Sequence, residues 1–302
     1  MRIFLTGGTA GIGQVAVRHL LASGSDLTIG ARAPDAAPGD LKRKARFCRV
    51  DLGDLATVQA LADALTSGPE IDVAILNAGV QNVSGGRSAQ GLDVTFATNH
   101  LAHYLLVRRL LPCMAHGGRI ILTASGTHDP EEKTGVPPPR HADARRLARP
   151  ESDPDLDAEG AKAGRRAYST SKLCNVMTAR ELANRTATTR PDLSIMAFDP
   201  GFTPGTGLAR DYPGAASLVF RYVLPLMVRG PRVSTPANSG NLLAQMATQP
   251  AYAASRGGYF AVRGKALLEV PPSALARDDD ACARLWVDSE ALLNEVAPGA
   301  LP

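Results

Sequence analysis

The sequence predicts an α/β fold: one doubly wound domain over residues 1–302, with a parallel sheet covered by helices on both faces. Two observations carry this. Short apolar runs alternate with helix-like segments along most of the chain, and a glycine-rich turn stands where the first strand gives way to the first helix. Parallel neighbours need a helical crossover, so the alternation builds a parallel sheet rather than hairpins.

In chain order, residues 2–6, 26–30, 45–50, 72–76, 118–124 and 193–199 read as buried strands. Residues 11–23, 55–67, 91–115 and 168–185 place apolar side chains at helical spacing. Two stretches break the rhythm. Residues 129–166 are rich in proline and in charges of both signs, with few aliphatics, and predict a long surface insertion that buries little, either solvated or a flap over the site. Residues 201–236 mix glycine and proline with an apolar run at 215–228 and predict a substrate lid or a helix packed on the core.

Composition bounds the function. With 302 residues, 44% hydrophobic and 21% charged, the chain reads as a globular enzyme and not as a disordered or fibrous protein. The net charge is only +4 and aromatics make up 5%, which argues against nucleic-acid binding. The basic run at 41–46 reads as solvated surface. Cys48, Cys113, Cys174 and Cys282 are scattered, with no metal-ligand spacing, which predicts reduced thiols and a cytoplasmic protein. The N-terminus runs straight into the first strand, so no signal peptide is expected, and the apolar run at 217–228 is too short to span a bilayer.

The turn Thr6-Gly7-Gly8-Thr9-Ala10-Gly11-Ile12-Gly13 has the spacing G-x-x-x-G-x-G. Glycines there let backbone approach a pyrophosphate, which sits at the positive end of the following helix. The second strand runs out at Arg32, where a carboxylate would bind a ribose 2′-hydroxyl and an arginine suits a 2′-phosphate. NADP(H) is therefore favoured over NAD(H). Asp51-Leu52 and Asn77-Ala78-Gly79 follow the third and fourth strands, where strand ends open onto a cofactor crevice. Tyr168 and Lys172, four residues apart, share one helical face. An ammonium near a phenol lowers its pKa and makes it a usable acid or base.

Together, Thr6 to Gly13, Asn77-Ala78-Gly79, Asn99, Ser125, Tyr168-x-x-x-Lys172 and Pro200-Gly201 resemble the short-chain dehydrogenase/reductase family, over nearly the whole chain and in the family's order. The wording Asn99-His100-Leu101-Ala102-His103-Tyr104, Ser125-Gly126-Thr127-His128 and Tyr168-Ser169-Thr170-Ser171-Lys172-Leu173-Cys174-Asn175 is similar to its retinol dehydrogenase and protochlorophyllide reductase-like branch. The resemblance implies a Rossmann-type domain and four catalytic residues. Tyr168 would exchange a proton with the substrate oxygen, Lys172 would lower its pKa and hold the nicotinamide ribose, Ser125 would orient the carbonyl, and Asn99 would hold a water. It further implies cofactor contacts at Gly7, Thr9, Gly11, Ile12, Gly13, Arg32, Asp51, Leu52, Asn77, Ala78, Gly79, Pro200, Gly201 and Thr203 (or Thr206 in its place). Relatives pair through the fourth and fifth helices, so a homo-oligomer is among the expectations, although the insertion stands in the way.

The resulting expectation is an oxidoreductase that passes hydride between NADP(H) and a carbonyl or alcohol of an apolar substrate. Two alternatives stand beside it. A light-dependent reductase of a pigment double bond is suggested by the branch, but its members carry a cysteine between the serine and the tyrosine, and residues 126–167 hold none. A non-catalytic dinucleotide sensor would be expected to lack one of the four catalytic residues, and all four are present. His100, His103 and His128 invite a metal reading, but without carboxylate or thiol partners at ligand spacing no metal is expected.

Overall fold

In a computed structural model, which describes residues 1–158, 160–204 and 230–302, eight strands form one sheet in the order β3-β2-β1-β4-β5-β6-β7-β8. The strands are β1 (Arg2–Thr6), β2 (Asp26–Ala31), β3 (Arg46–Arg49), β4 (Ile71–Leu76), β5 (Met114–Thr123), β6 (Ser194–Asp199), β7 (Arg256–Arg263) and β8 (Ala266–Glu269). The long helices are α1 (Gly11–Ala22), α2 (Leu55–Thr66), α4 (Ala161–Arg185), α5 (Pro236–Thr248) and α6 (Asp279–Val296). Between α2 and α4 lies α3, built from Val94–Phe96, a π-helical turn Ala97–Leu101, and Ala102–Leu110.

Strand polarity places the site. From β1 the chain winds outward through β2 to β3, then crosses to β4 on the other side of β1. The β1–β4 pair, in register at Leu5 and Ile75, is where the winding reverses, and the loops after the two strands diverge there into a crevice. Side chains alternate through the sheet. Ile3, Leu5, Val73 and Ile75 face α1 and α5, while Phe4, Ala74, Leu76 and Ile120 face α2, α3, α4 and α6. Both faces are thus covered, which is why the strands read as continuous apolar runs.

Three features differ from the sequence expectation. The sheet ends in an antiparallel strand, β8, paired to β7 at Phe260–Glu269. The catalytic-motif helix begins at Ala161, two turns before Tyr168, and Gly164 lets it lie against the Asn82–Val83 backbone, since a Cβ there would stand 2.3 Å from the Asn82 carbonyl oxygen. The insertion is also not a loosely solvated excursion. Its helix Ala144–Ala148 buries both of those alanines completely and lies against α6, where Arg145 and Arg149 pair with Glu295. Within it, Asp157 is held by Arg140 and Arg166, and Asp153 by His141 and Arg146. Opposite charges satisfy one another there, so a segment poor in aliphatics still folds. The expected lid over residues 201–236 falls mostly on 205–229, outside the described residues, and so does Thr206. Among the described residues, no helix is long and apolar enough to cross a membrane.

Candidate active site

Fourteen of the sequence-predicted residues meet in one cleft of about 710 Å³ at the ends of β1, β2, β4 and β5. They are Gly7, Thr9, Gly11, Ile12, Gly13, Arg32, Asp51, Leu52, Asn77, Ala78, Gly79, Tyr168, Lys172 and Pro200. Gln81, Asn82, Ser84, Thr98 and Thr123 also line it, although nothing in the motifs pointed to them. Asn99, Ser125, Gly201 and Thr203 do not line its walls; Asn99 and Thr203 are buried, and Ser125 and Gly201 are partly so.

The glycine-rich end is built for an anion. Helix α1 starts at Gly11 with no side-chain cap and no acidic residue in its first turn, so its free N–H groups point toward the cleft. Gly7 has φ +77°. A Cβ on Gly13 would sit 2.2 Å from the Gly7 carbonyl oxygen, so only glycine lets the turn close. Asn77 fastens the strand ends. Its Nδ2 donates to the Thr6 carbonyl (3.2 Å), while its Oδ1 accepts from the Thr123 hydroxyl (3.3 Å). At the far end Arg32 is exposed and makes no ion pair with a described residue, and Arg49 donates to its carbonyl (3.3 Å) while pairing with Asp35 (2.9 Å). Uncapped N–H groups, a glycine-only approach and a free guanidinium together fit a phosphorylated dinucleotide.

At the other end the α4 face presents Tyr168 and Lys172. The Lys172 ammonium lies 5.7 Å from the Tyr168 ring centroid, and Nζ donates to the Thr123 carbonyl (2.9 Å). Ser125, two residues past β5, pulls the Tyr168 phenol pKa down against burial, and its Oγ accepts from the Thr127 hydroxyl (3.2 Å). Asn99 is held in the π turn. Its Oδ1 accepts from the Val80 amide (2.7 Å), and its Nδ2 donates to the Val80 carbonyl (2.8 Å) and to Ser171 Oγ (2.9 Å). A Cβ on Gly79 would lie 3.3 Å from both Asn99 Oδ1 and Lys172 Nζ, so a bare Cα at that point lets the two groups converge.

The electrostatics depart from the sequence expectation. Burial pushes the Tyr168 phenol upward, the Ser125 bond works against this, and the Asp199 charge adds to it. Burial pushes Lys172 down to about 8, with Asp199 opposing. A dry wall disfavours both charged forms, so Tyr168 keeps its proton at neutral pH.

Several residues given no positioning role by the motifs hold this arrangement. His103 links the Asn99 carbonyl (Nδ1, 3.0 Å) to the Thr6 hydroxyl (Nε2, 3.0 Å). His128 Nδ1 contacts the Ser125 carbonyl (2.7 Å), and its Nε2 accepts from the Ser273 amide (3.3 Å). Asp199, at the end of β6, accepts from the Gly201 amide (2.9 Å). The only signal available for them was position, one or a few residues from a motif. Among the described residues, no group of three or more His, Cys, Asp or Glu side chains could hold a metal ion.

Known proteins resemble this chain over most of its length. A family model described as short chain dehydrogenase matches residues 1–134. Dehydrogenase/reductase SDR family member 13 of Homo sapiens is 31% identical over 311 residues, covering 98% of this chain and 73% of that protein. Protochlorophyllide reductase of Avena sativa is 25% identical over 314 residues, covering 97% of this chain and 99% of that one. Among solved structures, a short chain dehydrogenase from Burkholderia cenocepacia J2315 in complex with NADP matches with a TM-score of 0.62 at 19% identity, over 87% of this chain and 96% of that one. At that identity the likeness is one of fold.

Proposed function

The chain belongs to the short-chain dehydrogenase/reductase family, and from that premise we propose that it is an NADP(H)-dependent oxidoreductase interconverting a carbonyl and an alcohol on an apolar substrate, with Tyr168 as general acid and base. The observation that carries the reading is the meeting of Tyr168, Lys172 and the glycine-rich turn in one cleft.

A bound nicotinamide dinucleotide supplies or takes up the hydride. The α1 N-terminus and the Gly7–Gly13 approach hold its pyrophosphate, Arg32 meets a 2′-phosphate, and Asp51, Leu52 and Asn77 to Gly79 border the adenosine. Pro200 would border the nicotinamide end, with Gly201 and Thr203 behind it rather than on the cleft wall. Ser125 orients the substrate carbonyl beside the Tyr168 hydroxyl. Tyr168, protonated because its surroundings are dry, gives its proton to the developing alkoxide. Lys172, carrying its charge below about pH 8, stabilises the phenolate left behind. Asn99 fixes the Val80 backbone beside Lys172 and so keeps that side of the cleft open. The apolar substrate class rests on the run at 215–228.

The free thiols suit a reducing compartment, and we place the chain in the cytoplasm. Pairing of copies through α3 and α4 is not part of this reading, because Tyr104 and Arg108 of α3 already meet Trp286 and Glu290 of α6. Light-dependent pigment reduction is disfavoured by the absence of a cysteine from residues 126–167, and a purely sensing role by the intact set Asn99, Ser125, Tyr168 and Lys172.

The test is a panel of ketones, aldehydes and quinones, including phenanthrenequinone, with NADPH and NADH oxidation followed separately. Turnover with NADPH in preference to NADH, reduced at least about 100-fold in Tyr168→Phe, is the expected result. Full turnover in that variant would overturn the assignment of Tyr168. No turnover on any probe despite NADPH binding would favour the sensor.

A further inference from the structure

At the floor of the site sits a buried carboxylate that the mechanism above does not use. Asp199 ends β6 at 2% exposure, immediately before Pro200. Its Oδ1 accepts from the Gly201 amide (2.9 Å) and its Oδ2 from the Tyr259 hydroxyl (3.1 Å). A Cβ on Gly126, the residue after Ser125, would lie 3.2 Å from Asp199 Oδ2, so the carboxylate stands directly beside the Ser125–Gly126 turn. We propose that Asp199 is a positioning residue for the Tyr168–Lys172 pair, fixing the turn after Pro200 through Gly201 and supplying the negative charge against which the pair works. This rests on the reductase reading given above.

A turn alone does not call for a charge. The Gly201 amide and the Tyr259 hydroxyl would be satisfied by a neutral acceptor, and burying a carboxylate is costly unless it is well paired. Asp199 is poorly paired. Among the described residues it makes one ion pair, with Arg263 of β7 at 3.6 Å, and that guanidinium is already bound to Glu132 at 2.7 Å. The other titratable groups around it are His128, which packs edge-on to Tyr259 with ring centroids 5.0 Å apart, Asp129 beside His128, and the pair itself on α4. His128 is buried and burial holds it below its usual range, which favours the neutral ring. Standing beside the Ser125–Gly126 turn at the Tyr168 end of the cleft, the Asp199 charge favours the protonated phenol of Tyr168 and the charged ammonium of Lys172. That is the protonation state from which carbonyl reduction starts.

The test uses the full chain carrying Asp199→Asn, which keeps the shape and removes the charge. Oδ1 is left to accept from the Gly201 amide, while Nδ2 donates to the Tyr259 hydroxyl instead of an oxygen accepting from it. Fluorine NMR of fluorotyrosine-labelled protein, with the Tyr168 resonance assigned by Tyr168→Phe, reads the phenol directly and needs no turnover. The Tyr168 midpoint is expected to fall by about one pH unit, and the alkaline limb of kcat for phenanthrenequinone reduction to fall with it. Arg263→Gln leaves Asp199 in place and removes the cation opposite it, so it should move the midpoint the other way. Tyr259→Phe, which removes a hydrogen bond but no charge, should leave the midpoint within about 0.3 unit of wild type. A midpoint unmoved by both Asp199→Asn and Arg263→Gln would overturn the proposal, and if Asp199→Asn does not fold, Arg263→Gln decides alone. Failure of all turnover with an intact Tyr168 shift would instead overturn the reductase reading and leave the charge coupling standing.

Discussion

The Thr6 hydroxyl and His103 Nε2 lie 3.0 Å apart in the buried centre, joining the end of β1 to α3 across 97 residues of chain. Thr6 Oγ1 already accepts from the Asn77 and Ala78 amides, each at 3.0 Å, so its own proton goes to Nε2. The ring proton is then on Nδ1, donated to the Asn99 carbonyl. One neutral tautomer of His103 thus ties the glycine-rich turn, the strand β4 loop and the Asn99 turn together.

That neutrality makes the fold acid-sensitive. Burial and the nearby Lys172 push His103 from 6.5 down to about 4, so the unfolded chain takes up a proton that the folded ring refuses. The resulting stability is present above pH 6.5 and is lost as pH falls through 4. Urea melts across this range should show His103→Gln less stable than wild type by about 1–2 kcal/mol at pH 7. The difference should shift by up to about 3 kcal/mol toward pH 4, closing the gap and then reversing it. Parallel pH profiles for the two proteins would show that His103 does not carry the effect.

Gly13→Ala should be far more damaging than its size suggests. The new Cβ would face the Gly7 carbonyl oxygen at 2.2 Å and Asn77 Nδ2 at 2.7 Å, and neither belongs to a flexible side-chain end. Either the turn opens or Asn77 lets go of the strand ends. A loss of about 1–3 kcal/mol is expected in thermal melts, with NADPH affinity down at least about tenfold by fluorescence titration. Unchanged affinity would mean that the turn does not hold the cofactor.

Legibility in the sequence followed burial. Strands β1, β2, β4, β6 and the second half of β5 are nearly continuous apolar runs because both faces of a parallel sheet are covered. Strand β3, expected to be buried, is instead the edge strand Arg46–Arg49 with none of its four residues buried, and all six were readable to within a few residues. Strand β7 was not, because Gly257 and Gly258 interrupt it and Arg256 and Arg263 bound it, so its place comes from pairing with β6 rather than from its own pattern. Helix α5 opens on Pro-Ala-Asn-Ser-Gly, and Gly240 is there for close packing on Val15, a purpose that sequence spacing does not reveal. Helix α6 carries an open cap signal in Asp278, but nothing in it leads to the cleft. In the site, residues that touch the cleft were legible as motif words. Those acting one step behind it, His103, His128 and Asp199, are single polar residues whose partners lie far off in sequence.

The insertion should be separable from the cofactor site. Asp157, with 5% of its side chain exposed, faces Arg140 at 2.9 Å and also binds Arg166, whose Nη1 donates to the Pro138 carbonyl at 2.5 Å. Asp157→Asn leaves those two guanidiniums without their shared anion. Because both are partly solvated, the expected loss is about 1–2 kcal/mol rather than the larger cost of a fully buried pair. Trypsin should then cut faster among Arg140, Arg145, Arg146 and Arg149, while NADPH affinity stays at the wild-type value because no described residue of 129–166 lines the cleft. Weakened NADPH binding in this variant would tie the insertion to the cleft after all.

Lys172 gives a pH signature of the same sign as His103, in an alkaline window. Burial lowers it from 10.5 to about 8, so the folded protein sheds this proton before the unfolded chain does. Its contribution to stability is present above 10.5 and is lost as pH falls through 8, so stability attributable to Lys172 rises between these values. Wild type should therefore gain on Lys172→Met by about 2 kcal/mol between pH 8 and 10 in denaturant melts, a window in which Tyr168 keeps its proton. Over the same range the reductase rate should move the other way, because the ammonium that stabilises the Tyr168 phenolate is being discharged. A protein that became more stable without losing rate above pH 8 would show that the charge on Lys172 does not assist proton transfer.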